Sequence, residues 1–294
     1  MLDNPVRRES DPSGSYPYIL AAGPTCPEGP EPPPTLLFIH GSFHSPDCLA
    51  EHFMPFFSSH SIPSVAVPLR GIRSGYPSSS SPTKVKISEH VSDLSNYLLS
   101  NPSKTFVLVS HSFGGILAMK TLLAPSPPPN VRDLCFMCAV PPSGNAPMTL
   151  RYLKRDLPLS LLITWGLAFK KVAKDPDVCR TLFFDGSMGE GELERWMRGF
   201  QEDSRTTVDL GDLAGKLPAD DLGARGRARE RGRGGMRTLV LGATEDNIVD
   251  REGVEETAEY FGTEAVFVDS SHDVMLGWRW ENAAFVILEW VKGL

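Results

Sequence analysis

An α/β fold, with a mostly parallel central sheet flanked by helices and a helical cap inserted over it, is what this 294-residue sequence predicts. Three observations carry that expectation. Short apolar runs rich in β-branched residues lack polar alternation, as strands buried on both faces do. Stretches with helical spacing separate these runs, and strands alternating with helices build parallel sheets with right-handed crossovers. One long middle stretch breaks the rhythm with helical patterning alone, which marks an insertion.

Residues 1–34 hold nine of the 26 prolines, and EGPEPPPT stands directly before the first strongly apolar segment. This leader is expected to be largely extended or disordered, with YPYIL (16–20) as a candidate edge strand. The sheet is expected to start with TLLFIHG (35–41) and SVAVPL (64–69). A helical stretch over 87–100 precedes TFVLVS (105–110), and another over 114–123 leads through a Pro-rich loop at 125–129 to DLCFMCAV (133–140). From about 146 to 210, LRYLKR, LLITWGLAFKKV and ELERWMRGF are helical without a core strand between them, so this span is read as a cap. GARGRARERGRGGMR (223–237) sets six arginines against Glu230. A solvated linker is preferred there over an RNA-binding tail. The strands TLVLG (238–242) and AVFVD (265–269), with helical stretches at 252–261 and 280–292, complete one domain over 35–294.

Composition narrows the function. Hydrophobic residues make up 41% and charged residues 22%, which fits neither global disorder nor a membrane bundle. A net charge of -7 argues against nucleic acid as the main partner and favours a small-molecule substrate. The five cysteines are odd in number and lack framework spacing, the start MLDNPVRRESDPSG has no apolar signal core, and the longest uncharged apolar run, Leu157 to Phe169, is too short to span a bilayer. A soluble, cytoplasmic protein is expected, of undetermined oligomeric state.

The chemistry concentrates in TFVLVSHSFGGILAMK (105–120). An apolar strand runs into a tight turn and straight into a helix, the setting of the nucleophile elbow G-x-S-x-G, with Ser112 as the nucleophile. Small residues are needed two before and two after it because neighbouring elements pass close to the turn. Gly114 meets the second requirement and Ser110 stands in for the first glycine. Two other patterns are set aside. Cys135 and Cys138 fall in an expected strand, where positions three apart face opposite ways, so buried thiols are preferred over a redox or metal pair. His40 and His44 flank a glycine turn, not the helix that would align them on zinc.

The elbow SHSFGG, preceded by TLLFIHGSFHS and followed by TLVLGATEDNIV and SSHDVMLGW, resembles the α/β-hydrolase fold superfamily in its capped, single-domain branch, over about residues 35–145 and 236–292. That resemblance implies the chain order nucleophile, acid, histidine. His272 is the one histidine downstream of Ser112. The acid matches Asp246, with Glu245 the immediate rival and Asp250 a further one; the alternative acid position after the preceding strand falls in Pro141 to Asn145, which holds no carboxylate. The family's oxyanion donors correspond to the backbone N–H of Phe113 and of Ser42 in the H-G-x turn, with Phe43 next in line, while His40 braces that loop and His44 either lines the pocket or is exposed. A serine at the elbow favours acyl chemistry over the alkyl chemistry of relatives that carry aspartate there. The implied function is a serine hydrolase of carboxylic esters, lactones or thioesters acting through an acyl-enzyme, with no metal or organic cofactor. The alternatives are lyase, cyclase or thioester-release chemistry with the same residues, and a non-catalytic ligand-binding role. Trp165, Phe169, Phe183, Phe184, Trp196 and Phe200 in the cap suit a largely apolar acyl substrate, or equally a core belonging to the cap itself.

Overall fold

In the computed structural model, which describes residues 5–23, 33–71, 84–203, 207–208, 217–218 and 235–293, eight strands form one sheet in the order β1-β2-β4-β3-β6-β7-β9-β10. β3 (Thr35–Ile39) and β6 (Phe106–His111) lie side by side in parallel at its centre. Every residue of both is buried, as the unbroken apolar runs require of strands covered on two faces. β4 (Ser64–Val67) flanks β3, while β7 (Val131–Met137), β9 (Thr238–Glu245) and β10 (Ala265–Ser271) extend the parallel sheet beyond β6. A separate parallel pair joins β5 (Lys84–Val85) to β8 (Thr207–Val208).

Over residues 5–23 the leader holds two strands, the second of which takes in Ile19 and Leu20 of the candidate edge strand YPYIL (16–20). β1 (Val6–Glu9) and β2 (Ile19–Ala22) pair antiparallel, and β2 pairs antiparallel with β4. The sheet therefore begins before residue 35. β2 covers the edge that β4 would otherwise present to solvent, and it brings Tyr16, Tyr18, Ile19 and Leu20 into the core. Arg8 lies over the Tyr18 ring, 3.6 Å from its centroid. The Pro-rich 24–32 and nearly all of the Arg/Gly segment lie outside the described residues.

Helices close the two faces. α3 (Ile87–Leu99) packs on α4 (Phe113–Leu122), which also rests on β3 and β6. α1 (Asp47–Ala50) and α2 (Phe53–Ser59) follow β3, α9 (Arg251–Phe261) lies on β9 and β10, and α10 (Trp280–Lys292) packs against α2 and the same two strands. Between β7 and β9 come α5 (Asn145–Arg155), α6 (Leu157–Ala168), a 3₁₀ turn (Lys171–Ala173), α7 (Pro176–Phe183) and α8 (Glu190–Asp203). Their starts follow local chemistry. Asp156 accepts from Leu159 N–H at the head of α6, and Asp175 accepts from Asp177 and Val178 N–H at the head of α7, each with a proline in the first turn.

Side-chain contacts and a backbone bond tie these helices to the loops and helix ends around the sheet. Arg151 grips Asp250 through two hydrogen bonds of 2.7 Å, Arg195 pairs with Glu51 at 2.8 Å, and Asn247 donates to the Thr181 carbonyl. The Asp273 N–H donates to the Phe183 carbonyl at 3.0 Å. The aromatics divide into two sets: Phe183, Phe184, Trp196 and Phe200 are buried, whereas Trp165 and Phe169 are exposed beside Leu157 and Leu161.

One close approach places the elbow. A Cβ added at Gly114 would lie 2.5 Å from the Ile39 carbonyl oxygen and 2.9 Å from that of His40, so α4 can abut the end of β3 only through glycine. Gly114→Ala is expected to lower the free energy of unfolding by about 1–3 kcal/mol through forced separation of the two backbones, read from the urea midpoint at unchanged slope.

Candidate active site

Ser112 links β6 to α4 at φ +51° and ψ -120°, a conformation that costs a non-glycine residue about 1–3 kcal/mol. Backbone hydrogen bonds hold it there. Its N–H donates to the Met137 carbonyl, and its own carbonyl accepts from Gly115 and Val140 N–H, each at 3.1 Å. The side chain is thereby lifted above the carboxyl edge of the sheet at the head of a helix. The first N–H groups of a helix have no intrahelical acceptor, and Phe113 is the first residue of α4. Its N–H is available to an anion there, where the helix dipole also favours negative charge.

β9 and β10 are parallel neighbours, so the residues just past their carboxyl ends meet. Asp246 follows the first and His272 the second. His272 Nε2 lies 3.2 Å from Ser112 Oγ, and its Nδ1 lies 2.9 and 3.0 Å from the two carboxylate oxygens of Asp246. Asp246 Oδ1 also accepts from Ile248 and Val249 N–H, which fixes the carboxylate's orientation. Both side chains are almost completely buried. Burial pulls the His272 pKa down, but the charge and hydrogen bond of Asp246, together with the charge of Asp273, outweigh it and leave the imidazole above its ordinary 6.5.

The rival carboxylates are committed elsewhere. Asp250 caps α9 by accepting from Gly253 N–H and is held by Arg151 and Arg155. Glu245 is half exposed and faces Arg279 at 3.6 Å. Asp246 is therefore the acid that the structure brings to His272.

The loop after β3 lies against the elbow. A Cβ at Gly41 would come within 3.0 Å of Ser112 Cβ and of His111 Nδ1, so Ser42 starts a turn directly beside the serine. Phe43 continues that turn at φ +70°. His40 Nδ1–H donates to the Gly41 carbonyl while its Nε2 accepts from Leu69 N–H. Burial first, and nearby histidines less, lower its pKa to about 3 against the raising effect of the Gly41 bond, so the ring is a neutral brace. His44 is buried, its ring packed on Phe183 and Phe200 at 5.2 and 4.7 Å between centroids.

Sequence reasoning gave no site role to Asp273 or His111, took Cys138 only as a buried thiol, and left His44 between lining the pocket and being exposed. Asp273 is fully buried beside His272, with Oδ2 2.8 Å from His44 Nε2. His111, kept neutral chiefly by burial, donates from Nε2 to the His272 carbonyl at 3.0 Å. Cys138 lies past the end of β7 at φ +45°, not in the strand where it was expected, and burial together with Asp246 keeps its thiol protonated. His44 was noted but left without a partner. The neighbour of His272 in sequence was the one signal available; nothing in the spacing of the others marks them.

Among the described residues, two groups of donors converge closely enough for a metal, His44 with His111 and Asp273, and Cys138 with Asp246 and His272. In both groups the members are hydrogen-bonded to one another or to the His272 carbonyl.

The profile of the alpha/beta hydrolase family matches residues 36–286. The chain belongs to the alpha/beta hydrolase family. No curated protein matches it by sequence. Among solved structures, this alpha/beta hydrolase is similar to an esterase from Exiguobacterium antarcticum, at 17% identity and a TM-score of 0.68 over 94% of this chain and 95% of that one. It is also similar to a bromoperoxidase from Bacillus anthracis, at 16% and 0.67 over 98% and 99% of the two chains. A third likeness, at 17% and 0.63 over 97% and 98%, is to 2-hydroxy-6-oxo-6-phenylhexa-2,4-dienoate hydrolase from Rhodococcus sp. strain RHA1. At such identities the likeness establishes the fold. Among the described residues, no helix of this alpha/beta hydrolase is long and apolar enough to cross a membrane.

Because Asp246 supplies most of the upward shift, Asp246→Asn is expected to move the His272 titration from above 6.5 to a lower pH. Imidazole resonances followed by NMR across pH 5–9 report the change.

Proposed function

We propose that this protein is a serine hydrolase that cleaves a carboxylic ester, lactone or thioester through an acyl-enzyme intermediate. The observation that carries the reading is the continuous hydrogen-bonded chain Ser112 Oγ to His272 Nε2, and His272 Nδ1 to Asp246, starting from a strained strand-to-helix turn.

In this reading His272 takes the Ser112 proton as Oγ attacks the substrate carbonyl. Asp246 holds the ring in the productive tautomer and stabilises the imidazolium. The oxyanion is met by the N–H groups of Phe113 and Ser42, and collapse expels the alcohol or thiol after proton return from His272. Water then attacks the acyl-enzyme, with His272 again as base, and Ser112 is released. These side chains complete the sequence of steps without a cofactor. Phe43, Phe183 and Phe200 cluster beside His44 and His272, which supports a largely apolar acyl group as substrate. The free, buried thiols of Cys48, Cys135, Cys138 and Cys179 suit a reducing compartment, and a cytoplasmic site of action is part of the proposal.

Ser112→Ala is expected to abolish labelling by a fluorophosphonate probe and to lower turnover of a short p-nitrophenyl ester by about 10⁴-fold or more. Persistent labelling of that variant would overturn the assignment. Labelling of the wild type at Ser112 without turnover of any ester, lactone or thioester would instead favour lyase or cyclase chemistry with the same residues. In active protein, kcat/KM should fall on the acid side with a midpoint above 6.5, since the base must be neutral and its pKa is raised.

A further inference from the structure

His40 and His44 stand in the same loop, yet their hydrogen bonds differ in kind. His40 faces one acceptor and one donor, which a neutral ring satisfies. His44 faces two acceptors: its Nδ1 lies 2.7 Å from the Ser42 carbonyl and its Nε2 lies 2.8 Å from Asp273 Oδ2. The first contact needs a proton on Nδ1, and the second needs another between Nε2 and Oδ2. The His44 and Asp273 side chains are 1% and 0% exposed, so water cannot substitute for either bond.

The bridge runs between two working parts of the proposed site. At one end it grips the carbonyl of Ser42, in the turn that would supply an oxyanion donor. Gripping the Ser42 carbonyl fixes the plane of the Ser42–Phe43 peptide, and with it the far side of the residue whose own N–H is the proposed oxyanion donor. Phe43 holds φ +70°, a strained value that needs such outside support. At the other end, Asp273 adjoins His272, and its N–H is anchored on the Phe183 carbonyl of α7. His111, next to Ser112, holds the His272 carbonyl, with its Nε2 3.9 Å from Asp273 Oδ1.

We propose that His44 and Asp273 are positioning residues, a buried proton-sharing bridge that locks the Ser42–Phe43 turn to the backbone carrying His272, so that oxyanion donor and base keep one geometry during acyl transfer. The proposal rests on the serine hydrolase reading. His44 and Asp273 touch neither Ser112 nor the reacting carbonyl; they act through the turn and through the residue beside them. The bridge holds the geometry by hydrogen bonding, not by net charge. An asparagine at 273 could donate its amide N–H to Nε2 of a neutral His44 and leave the Nδ1–H bond to Ser42 intact.

That difference sets the test, made on the full-length protein. Asp273→Asn also removes a charge that helps raise the His272 pKa, so it is compared on the plateau of the pH–rate profile, where it is expected to retain kcat within about threefold because every hydrogen bond can be re-formed. Asp273→Leu and His44→Phe, which fill the space without the bond, are expected to lose about 10- to 100-fold in kcat and in fluorophosphonate labelling rate, with KM nearly unchanged. The double variant should be no worse than either single one. Melting curves check that each variant folds, and either of the two disrupting variants suffices if the other does not.

A slowly exchanging, far-downfield imidazole proton in the NMR spectrum, lost in both disrupting variants, gives a readout independent of turnover. Unchanged kcat and labelling in a folded Asp273→Leu or His44→Phe protein would overturn the proposal alone, as would an Asp273→Asn defect as large as that of Asp273→Leu. A wild-type protein that no serine probe labels would remove the hydrolase reading and the positioning role with it. The downfield proton would then still report whether the bridge exists.

Discussion

The turn at Ser112 is the constraint on which the site depends. A serine held at φ +51° stays there because the surrounding backbone outweighs the strain, with the Met137 carbonyl on one side and the Gly115 and Val140 N–H groups on the other. Those partners come from β7, the loop after it and α4, so the turn can form only once the sheet has assembled. Gly114 lets α4 reach the end of β3, and Gly41 lets the loop after β3 reach Ser112. Two glycines thus bring a strand end, a helix start and a loop within contact distance, and a Cβ at either would separate them.

Around that turn, hydrogen-bond partners decide which buried imidazole does what. His40 and His111 are uncharged, and each sends one N–H to a backbone carbonyl. His272 has a carboxylate behind it and a hydroxyl in front, the arrangement that raises its basicity and aims it. His44 alone among these four places both nitrogens on acceptors. Four rings in one small volume differ in role because their partners differ, which is also why a count of histidines says little about chemistry.

The helices between β7 and β9 take part in the site as well as covering it. Phe183 offers its ring to His272 and His44 and its carbonyl to Asp273 N–H, while Arg151 occupies the carboxylate of Asp250. By capping α9 and pairing with arginine, Asp250 leaves Asp246 as the carboxylate facing His272. The apolar residues exposed on α6 lie on the other side of this economy: they contribute little to the buried aromatic cluster that Phe183 and Phe200 build.

Much of this was legible from the chain order alone. Unbroken apolar runs located β3, β4, β6, β7, β9 and β10 to within a few residues, since a strand buried on both faces leaves a local compositional trace. The elbow around Ser112 and the lone downstream histidine, His272, were equally visible, because turn crowding and chain order are local or countable. β1 and the second half of β2 were not, as β2 draws its support from β4, some 40 residues on, and β1 draws its own from β2. Asp246 was preferred to Glu245 and Asp250 only through the resemblance, since folding alone shows that Arg151 claims Asp250 and that Glu245 is half exposed and faces Arg279. His44 and Asp273 meet across 229 positions. The sequence by itself determined which segments are buried and where the chain turns sharply, because those follow from side-chain polarity and backbone sterics. Tertiary structure alone decided which buried polar atoms share a proton, because that depends on distances between residues the chain order keeps far apart.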